Sequence, residues 1–398
     1  MTKNPRSNIR KIYAFKFCMG MYFIGGVLIP FFTMWGGISF SQIMILEAWF
    51  MLWVFLFEIP SGSIADYLGR KNTLILASIA HIIAVVIYTS MPLFFIFMLG
   101  EFMWALAEAL MTGTNQALIY DSLKVIGDAE TEKVKIIYGR SESLGLVGLM
   151  VAAPIGSFLA AFFDLRAPML FMALPFAGAL IIALTFQEPQ TSQNPEKKQY
   201  RRIMKEGVKY FYQHKILKIL AFEMITIGAV AFLMIWLYQS MLIQLNVNIM
   251  YFGIIHSIIL GSEIVIMNSY NRLERIFRSK RRYLLFSGFM TGAMFLVGAL
   301  GLAFQLLPLM LVAIILAIAF GVTRAPLLIS YMNKYIPSPE RATVLSTINM
   351  FQTLSFVIVY PLVGFAADWS LIMTLILLGI AGIGFSLISR VKEEYLID

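Results

Sequence analysis

Cysteine, histidine and charged side chains are all scarce in this chain of 398 residues. The single cysteine, Cys18, excludes a disulfide framework and a cysteine-based metal site. Charged residues make up 13% of the sequence, about half the share of a soluble domain, and the mean hydropathy is +0.81. A water-soluble enzyme is therefore excluded. No ATP-binding loop, nucleophile–base pair or His-rich cluster is visible, so no metal or other cofactor is expected.

Long uncharged stretches take the place of charge, and their lengths predict membrane-spanning helices. One span of the ~30 Å hydrocarbon core needs about 20 apolar residues. The stretch 283–323 is twice that long, so we divide it near Gln305–Pro308, and we divide 224–262 near Gln244–Asn248. The predicted spans are 12–35, 42–65, 72–91, 93–121, 136–163, 167–186, 216–239, 249–269, 283–303, 308–333, 343–366 and 369–389. The fold class is thus an all-α integral membrane protein with twelve transmembrane helices.

The basic residues predict how these spans are oriented. Of the 31 Lys and Arg residues, only Arg166 falls in an odd-numbered gap between spans and only Arg324 lies deep in a span. The others cluster at the tails and even-numbered gaps, which places both termini in the cytoplasm. The net charge of +9 is therefore a topology signal, and no nucleic-acid partner is expected. We expect a monomer in the cell inner (plasma) membrane, surrounded by membrane lipids.

A polar linker divides the predicted spans into two groups of six. Its second part is basic and amphipathic, with Met204 and Phe211 on the apolar side, which is typical of a helix on the anionic inner leaflet. Pro154 recurs as Pro361 at an offset of about 207 residues. The predicted organisation is two pseudo-symmetric six-helix bundles, which is typical of transporters. The boundaries are 1–186 for the N-terminal bundle, 187–215 for the linker and 216–398 for the C-terminal bundle.

One loop carries a recognisable motif. Residues 58–71 read EIPSGSIADYLGRK in the predicted cytoplasmic gap between the second and third spans. A glycine, an aspartate four residues later and then Gly-Arg-Lys resemble the signature loop of the major facilitator superfamily. With the twelve spans and the central linker, the resemblance covers the whole chain and extends to bacterial drug and metabolite exporters. The matching residues are Gly62, Asp66, Gly69, Arg70 and Lys71.

The resemblance implies a cytoplasmic gate. In the family, the loop's aspartate caps the eleventh helix and its arginine pairs with an acid at the end of the fourth helix. The corresponding residues here are Asp66, Arg70 and Asp121, which would latch the two bundles together. The alternative interpretation is that the basic residues of this loop only set topology. The chain also departs from drug–proton antiporters, which usually carry arginine where this sequence has Glu101.

Acidic residues inside the first bundle are candidates for proton coupling, because charges near mid-membrane are costly unless they are paired or hydrated. Glu101, Glu108 and Asn115 are seven residues apart on the fourth span and share a face, and Trp104 flanks them. We expect Glu108, nearest mid-span, to bind and release the coupling proton. The alternative is a neutral carboxylate held between packed helices.

Two further residues of this bundle are considered apart from that face. Glu47 lies only two turns inside the second span, so we expect either an interfacial, water-reaching role or a role in transport. His81, in the third span, we expect to have a packing role.

In the second bundle, Glu223, Glu263 and Arg324 lie at similar depth. An unpaired buried cation is costly, so we expect one of the acids beside Arg324. That pair would serve either as a structural link or as part of a substrate site. His256 precedes Glu263 by seven residues and shares its face, which fits either a proton relay or a packing histidine.

Three functions compete. The first is export of a hydrophobic or cationic small-molecule substrate in exchange for protons (or Na+). The second is uptake of a polar or anionic nutrient, for which Arg324 would supply positive charge. The third, a non-transporting membrane enzyme or sensor, is disfavoured by the absence of catalytic motifs.

Overall fold

The computed structural model describes residues 6–125, 127, 130–189, 205, 207–337 and 340–397. In that part of the chain all regular structure is helical, as the composition predicts. The principal helices are α1 (Arg6–Gly20), α2 (Phe40–Leu68), α3 (Arg70–Ser90), α4 (Phe94–Val125), α5 (Thr131–Phe162), α6 (Ala173–Thr185), α7 (Lys215–Gln244), α8 (Phe252–Asn268), α9 (Tyr270–Phe277), α10 (Lys280–Ala303), α11 (Leu307–Val322), α12 (Arg324–Met332), α13 (Arg341–Trp369) and α14 (Leu371–Leu387).

Length and hydropathy make ten segments of the described chain able to cross a membrane. An eleventh span results if the bent pair Ser7–Gly26 and Leu28–Trp35 counts as one. The predicted last span corresponds to α14, an apolar helix of 17 residues. The all-helical membrane fold is therefore confirmed, whereas twelve spans are reached only by including the bent pair and the short α14.

The prediction of one continuous helix over 12–35 is wrong. After α1 the chain forms a 3-10 turn, Phe23–Gly26, and later a π-helical turn, Phe31–Trp35, with a bend of 62° between the two halves. The break coincides with a close approach to α5. A Cβ on Gly156 would lie 1.7 Å from the Phe23 carbonyl oxygen, so only glycine permits this contact.

The two predicted divisions of long apolar stretches are confirmed. α7 ends at Gln244 and α10 at Ala303, and each is followed by a residue with positive φ, Asn246 and Gln305 respectively. The predicted span 308–333 is divided at Thr323 into α11 and α12.

The described part of the linker packs into protein. Met204 lies outside the described residues, as do 190–203, so the predicted surface helix is visible only at its end. Phe211 is 7% exposed and belongs to an apolar core with Leu217 and Leu220. The apolar side of this segment therefore contacts helices at Phe211.

The described residues fall into two compact units. Unit 1 contains those of Met1–Pro195 and of Asn248–Ser257; unit 2 contains those of Glu196–Val247 and Ile258–Asp398. In unit 1, α4 packs against α2 and α3, and α1 packs against α5 and α6. The start of α8 joins unit 1 because Ser257 donates its hydroxyl hydrogen to the Met150 carbonyl, at 2.7 Å. In unit 2, α10 packs against α11 and α14, and α7 packs against α11.

Candidate functional site

The signature loop brings three charged residues of unit 1 together. Arg70, the first residue of α3, donates from Nη1 to Asp66 Oδ1 at 2.8 Å and from Nε to Asp121 Oδ2 at 3.3 Å. Asp66 lies in the last turn of α2, and Asp121 lies in the last two turns of α4. One guanidinium thus ties the ends of three helices. Gly62 is exposed on α2.

A fourth residue, which sequence reasoning missed, completes this loop. Glu188 follows α6, and its carboxylate accepts hydrogen bonds from the backbone N–H groups of Arg70 (2.7 Å) and Lys71 (2.8 Å). These are unpaired donors at the start of α3, where the helix dipole also favours an anion. Gly69 makes room, since its φ is +87° and a Cβ there would lie 2.7 Å from Glu188 Cδ. Glycine at the motif's second glycine position is therefore explained both by the positive φ and by the space that a side chain would occupy.

The start of α10 in unit 2 is capped by a glutamate in the same way, although its sequence lacks the motif. Glu393 accepts hydrogen bonds from the backbone N–H groups of Lys280 (2.9 Å) and Arg281 (3.0 Å) and from the Ser279 hydroxyl, at the start of α10. Partial burial raises the pKa of Glu393, but these hydrogen bonds outweigh it and hold that pKa below its ordinary value. Because Glu188 and Glu393 each follow the last long helix of their unit, extending the internal repeat beyond the spans could have found both.

Glu108 faces His81, a residue for which we expected only a packing role. Its carboxylate Oε1 lies 3.4 Å from His81 Nε2 and accepts a hydrogen bond from the Tyr22 hydroxyl at 2.9 Å. His81 is fully buried, and its Nδ1 lies 3.0 Å from the Ala77 carbonyl oxygen one turn earlier. A carbonyl oxygen only accepts, so Nδ1 carries a proton and Nε2 is the nitrogen that faces Glu108.

Trp104 lies at the centre of an aromatic cluster around this pair. Its ring centroid is 5.1 Å from His81, 5.5 Å from Tyr22, 5.8 Å from Phe176 and 6.0 Å from Tyr88. Contacts of this kind between rings fix the orientation of the Tyr22 hydroxyl and of the His81 ring nitrogens. The cluster therefore holds Tyr22 and His81 against Glu108.

Two other acids line a cavity whose wall includes Trp104 and Tyr22. Glu101 is 5% exposed and Glu47 is 7% exposed. Both line one cavity of about 150 Å³ in unit 1. Of the two roles expected for Glu47, this burial fits the one inside the bundle, because its position near the start of α2 gives depth along the helix but not the direction its side chain faces.

Asn115 completes the predicted polar face of α4. It is 2% exposed, and its Oδ1 accepts no hydrogen bond from the described residues. Its amide oxygen is therefore a buried acceptor that no described residue uses.

In unit 2 the structure places Glu223 beside Arg324. Both side chains are almost fully buried, and the guanidinium also donates to the Leu284 carbonyl and the Ser287 hydroxyl. Glu263 is half-buried and forms no ion pair with any described residue. The positive charge of Arg324 is thus already neutralised within the bundle.

The two predicted polar residues of α8, His256 and Glu263, fall in different compact units. His256 belongs to the part of α8 that clusters with unit 1, and Glu263 to the part that clusters with unit 2. A Cβ on Gly25 would lie 3.6 Å from His256 Nε2, so this histidine packs against the broken first span. The packing interpretation fits this surrounding better than a relay.

Comparisons with known proteins agree with this architecture. A family model described as Major Facilitator Superfamily matches residues 12–360. None of the curated proteins compared matches the chain. Among solved structures, the nucleoside transporter NupG is similar with a TM-score of 0.72 at 14% identity, covering 98% of this chain and 100% of NupG.

Two further structures are similar to the same degree. A D-xylose-proton symporter has a TM-score of 0.73 at 13% identity, covering 98% of each chain. A POT family transporter in complex with 5-aminolevulinic acid has a TM-score of 0.74 at 14% identity, covering 98% of this chain and 97% of that one. At such identities these likenesses show the fold alone.

Proposed function

The chain belongs to the Major Facilitator Superfamily, and from that membership we propose that it exports a hydrophobic or cationic small molecule in exchange for protons. As a member of this family it is a multi-pass membrane transporter rather than an enzyme, and it binds a small-molecule substrate. The energy then comes from an ion gradient, with two bundles exposing the substrate to each side in turn.

The contact between Glu108 and His81 carries the proposal. With Nδ1 bonded to the Ala77 carbonyl, the neutral ring presents a lone pair on Nε2 to the carboxylate. The contact is favourable when one proton lies on either partner and repulsive when that proton is absent. The pair therefore forms a site for one proton, and Tyr22 keeps the carboxylate in place through its hydroxyl.

Coupling follows from competition at this site. A cation that binds near Glu108, on the side of Tyr22, favours the ionised form of the carboxylate and releases the proton. When the cation leaves, the pair takes up a proton again. Export results if the cation leaves and the proton arrives on the outer side, and the reverse exchange happens on the inner side.

The charge network around Arg70 serves as the gate in this cycle. Asp66, Arg70 and Asp121 hold the ends of three helices in unit 1, and the two glycines and Lys71 shape the loop that carries them. We assign to it the family's role of latching the bundles on the cytoplasmic side. The bundle boundaries 1–186 and 216–398, cytoplasmic termini, the plasma membrane and a monomeric state are part of the same proposal.

Uptake of an anion receives no such support. It depends on a positive charge available to substrate, and Arg324 instead donates to Glu223, Ser287 and Leu284.

Transport in reconstituted vesicles tests the proposal. The full chain is placed in vesicles with a lumen more acidic than the medium, and accumulation of ethidium and of smaller aromatic ammonium ions is followed. We expect accumulation that collapses when the pH gradient is dissipated. Glu108→Gln should abolish gradient-driven accumulation while leaving exchange at equal pH, because the amide mimics a permanently protonated acid. His81→Gln should impair the same step.

The matched control is Glu132→Gln, which removes an exposed acid of the same unit. It should transport like the unaltered protein. Full response of Glu108→Gln to the pH gradient would show that another group couples the proton, and failure of every cation to move would refute export of cations.

A further inference from the structure

The cavity beside Trp104 is built entirely from unit 1. Four of its lining residues come from the broken first span, two from α2, and the rest from α3, α4 and the turn before α6. Its lining residues are Tyr22, Ile24, Leu28, Phe32, Glu47, Phe50, Tyr88, Glu101, Trp104 and Met169. The cavity is therefore separate from the contact of Glu108 with His81, although Tyr22 touches both.

The walls combine two carboxylates with aromatic rings. None of the lining residues is a lysine, arginine or histidine, so the cavity contains no positive charge. Glu47 is more than nine-tenths buried, and none of the described residues donates a hydrogen bond to it. A buried carboxylate with no donor is costly unless a ligand supplies one.

The size and chemistry of the walls define the occupant. A cavity of 150 Å³ is large enough to hold a benzene-sized group. Ring faces of tryptophan, tyrosine and phenylalanine attract cations, most strongly when water is excluded. Carboxylates accept hydrogen bonds and donate none when ionised, so a cation bearing N–H groups satisfies them better than a quaternary ammonium.

We propose that this cavity binds the headgroup of a primary or secondary organic ammonium ion, with its N–H groups donated to Glu47 and Glu101 and its apolar part against Trp104 and Phe50. The assignment deepens the proposed function, on which it rests, by naming the class of exported cation. Tyr22 then connects the two sites, since it lines the cavity and donates its hydroxyl hydrogen to Glu108.

Equilibrium binding tests the site without any transport step. Benzylammonium is titrated into the purified full-length protein, and binding is followed by calorimetry and by tryptophan fluorescence, since Trp104 lies in the wall. Benzyl alcohol, benzoate and benzyltrimethylammonium are the neutral, anionic and N–H-free comparisons. We expect benzylammonium to bind at least about tenfold more tightly than each of them.

Two isosteric variants locate the binding. Glu47→Gln and Glu101→Gln should each weaken benzylammonium binding about tenfold or more, whereas Glu132→Gln should leave it unchanged. Melting temperatures establish that the variants fold. Leu28→Phe, which keeps both acids and fills the cavity, should weaken benzylammonium binding more than methylammonium binding.

Several outcomes overturn the proposal. One is that benzyl alcohol binds as tightly as benzylammonium. Another is that benzylammonium binding is unchanged in both glutamine variants. A third is that only Na+ raises the melting temperature and that either variant removes this effect. The result is separable from proton coupling. If the protein binds benzylammonium in a Glu47-dependent way but shows no pH-driven transport, proton coupling is refuted and the site is kept. If pH-driven transport is intact but binding does not depend on Glu47, the site alone is refuted.

Discussion

Arg324 and Glu223 form the pair of side chains whose separation should cost the most. The guanidinium is 1% exposed and the carboxylate 3%, and each lies within the interior of unit 2. An ion pair taken out of water gains little net stability, but removal of one partner leaves a buried charge that costs about 3–5 kcal/mol. We therefore expect the pair to be a structural requirement rather than a free site for substrate.

We predict that Glu223→Gln lowers the free energy of unfolding by about 3 kcal/mol, because Arg324 keeps its charge and loses its counter-charge. The double substitution Glu223→Gln with Arg324→Met should recover most of that loss. Thermal unfolding of the purified protein in detergent measures both. Glu263→Gln is the control, and its effect should stay within about 1 kcal/mol because no described residue pairs with that acid. A Glu223→Gln protein that melts normally would contradict the structural role.

Depth along a helix was enough to predict that Arg324 needs an acid, but not which one. The rise per residue places a side chain along the membrane normal and gives no information on which neighbouring helix it meets. His81 and Glu47 show the consequence. One lies against Glu108 and the other in a cavity with Glu101, and each depends on how α2, α3 and α4 pack.

The starts of α3 and α10 share one design. In each, a glutamate that follows the unit's last long helix accepts hydrogen bonds from two backbone N–H groups of the first turn. Glu188 and Glu393 thus link the two ends of a stretch of four predicted spans within their units. The signature loop survives in only one half of the sequence, yet its capping carboxylate occurs in both.

We predict that the cap of α10 gives a stability contribution that disappears in acid. The pKa of Glu393 is lowered in the folded protein, so its contribution is present above the ordinary glutamate value of about 4.3 and is lost as pH falls through the folded value. Glu393→Gln should cost about 0.5–1 kcal/mol near neutral pH and much less at acid pH. Melting temperatures across this pH range provide the measurement.

The neighbouring Glu394 supplies the matched control. It forms an exposed ion pair with Lys392 at 3.2 Å, and exposed pairs contribute little. Glu394→Gln should therefore change the melting temperature by less than Glu393→Gln at neutral pH. If Glu393→Gln is equally destabilising at neutral and acid pH, the effect comes from packing rather than from the ionised cap.

Helix ends were predictable where the sequence itself breaks the helix. The turns after α7 and α10 follow polar residues at Gln244 and Gln305 between apolar stretches. The bend in the first span was missed because glycine and proline are common in transmembrane helices and do not by themselves break them. Its location depends on Gly156 in α5, a contact between segments more than a hundred residues apart.

Across the full chain, hydropathy predicted the order of helices because each span must bury its backbone polar groups in hydrogen bonds within the membrane. The motif at 62–71 then predicted the family that the matching family model shows. Orientation is different, since it depends on which side receives the basic residues during insertion. It therefore remains a prediction that needs its own experiment.

We predict that cysteines at Met91 and Glu132 label from opposite sides of the membrane. Both positions are exposed, and α4 separates them with 32 residues, about 48 Å of helix, which exceeds the hydrocarbon core. In a Cys18→Ser background, an impermeant maleimide should label Met91→Cys in intact cells and Glu132→Cys only in inverted vesicles, because the basic residues lie on the side of Glu132. The background protein should remain unlabelled in both. Labelling of both cysteines from one side would refute the span between them, and the opposite assignment would show that the termini face outward.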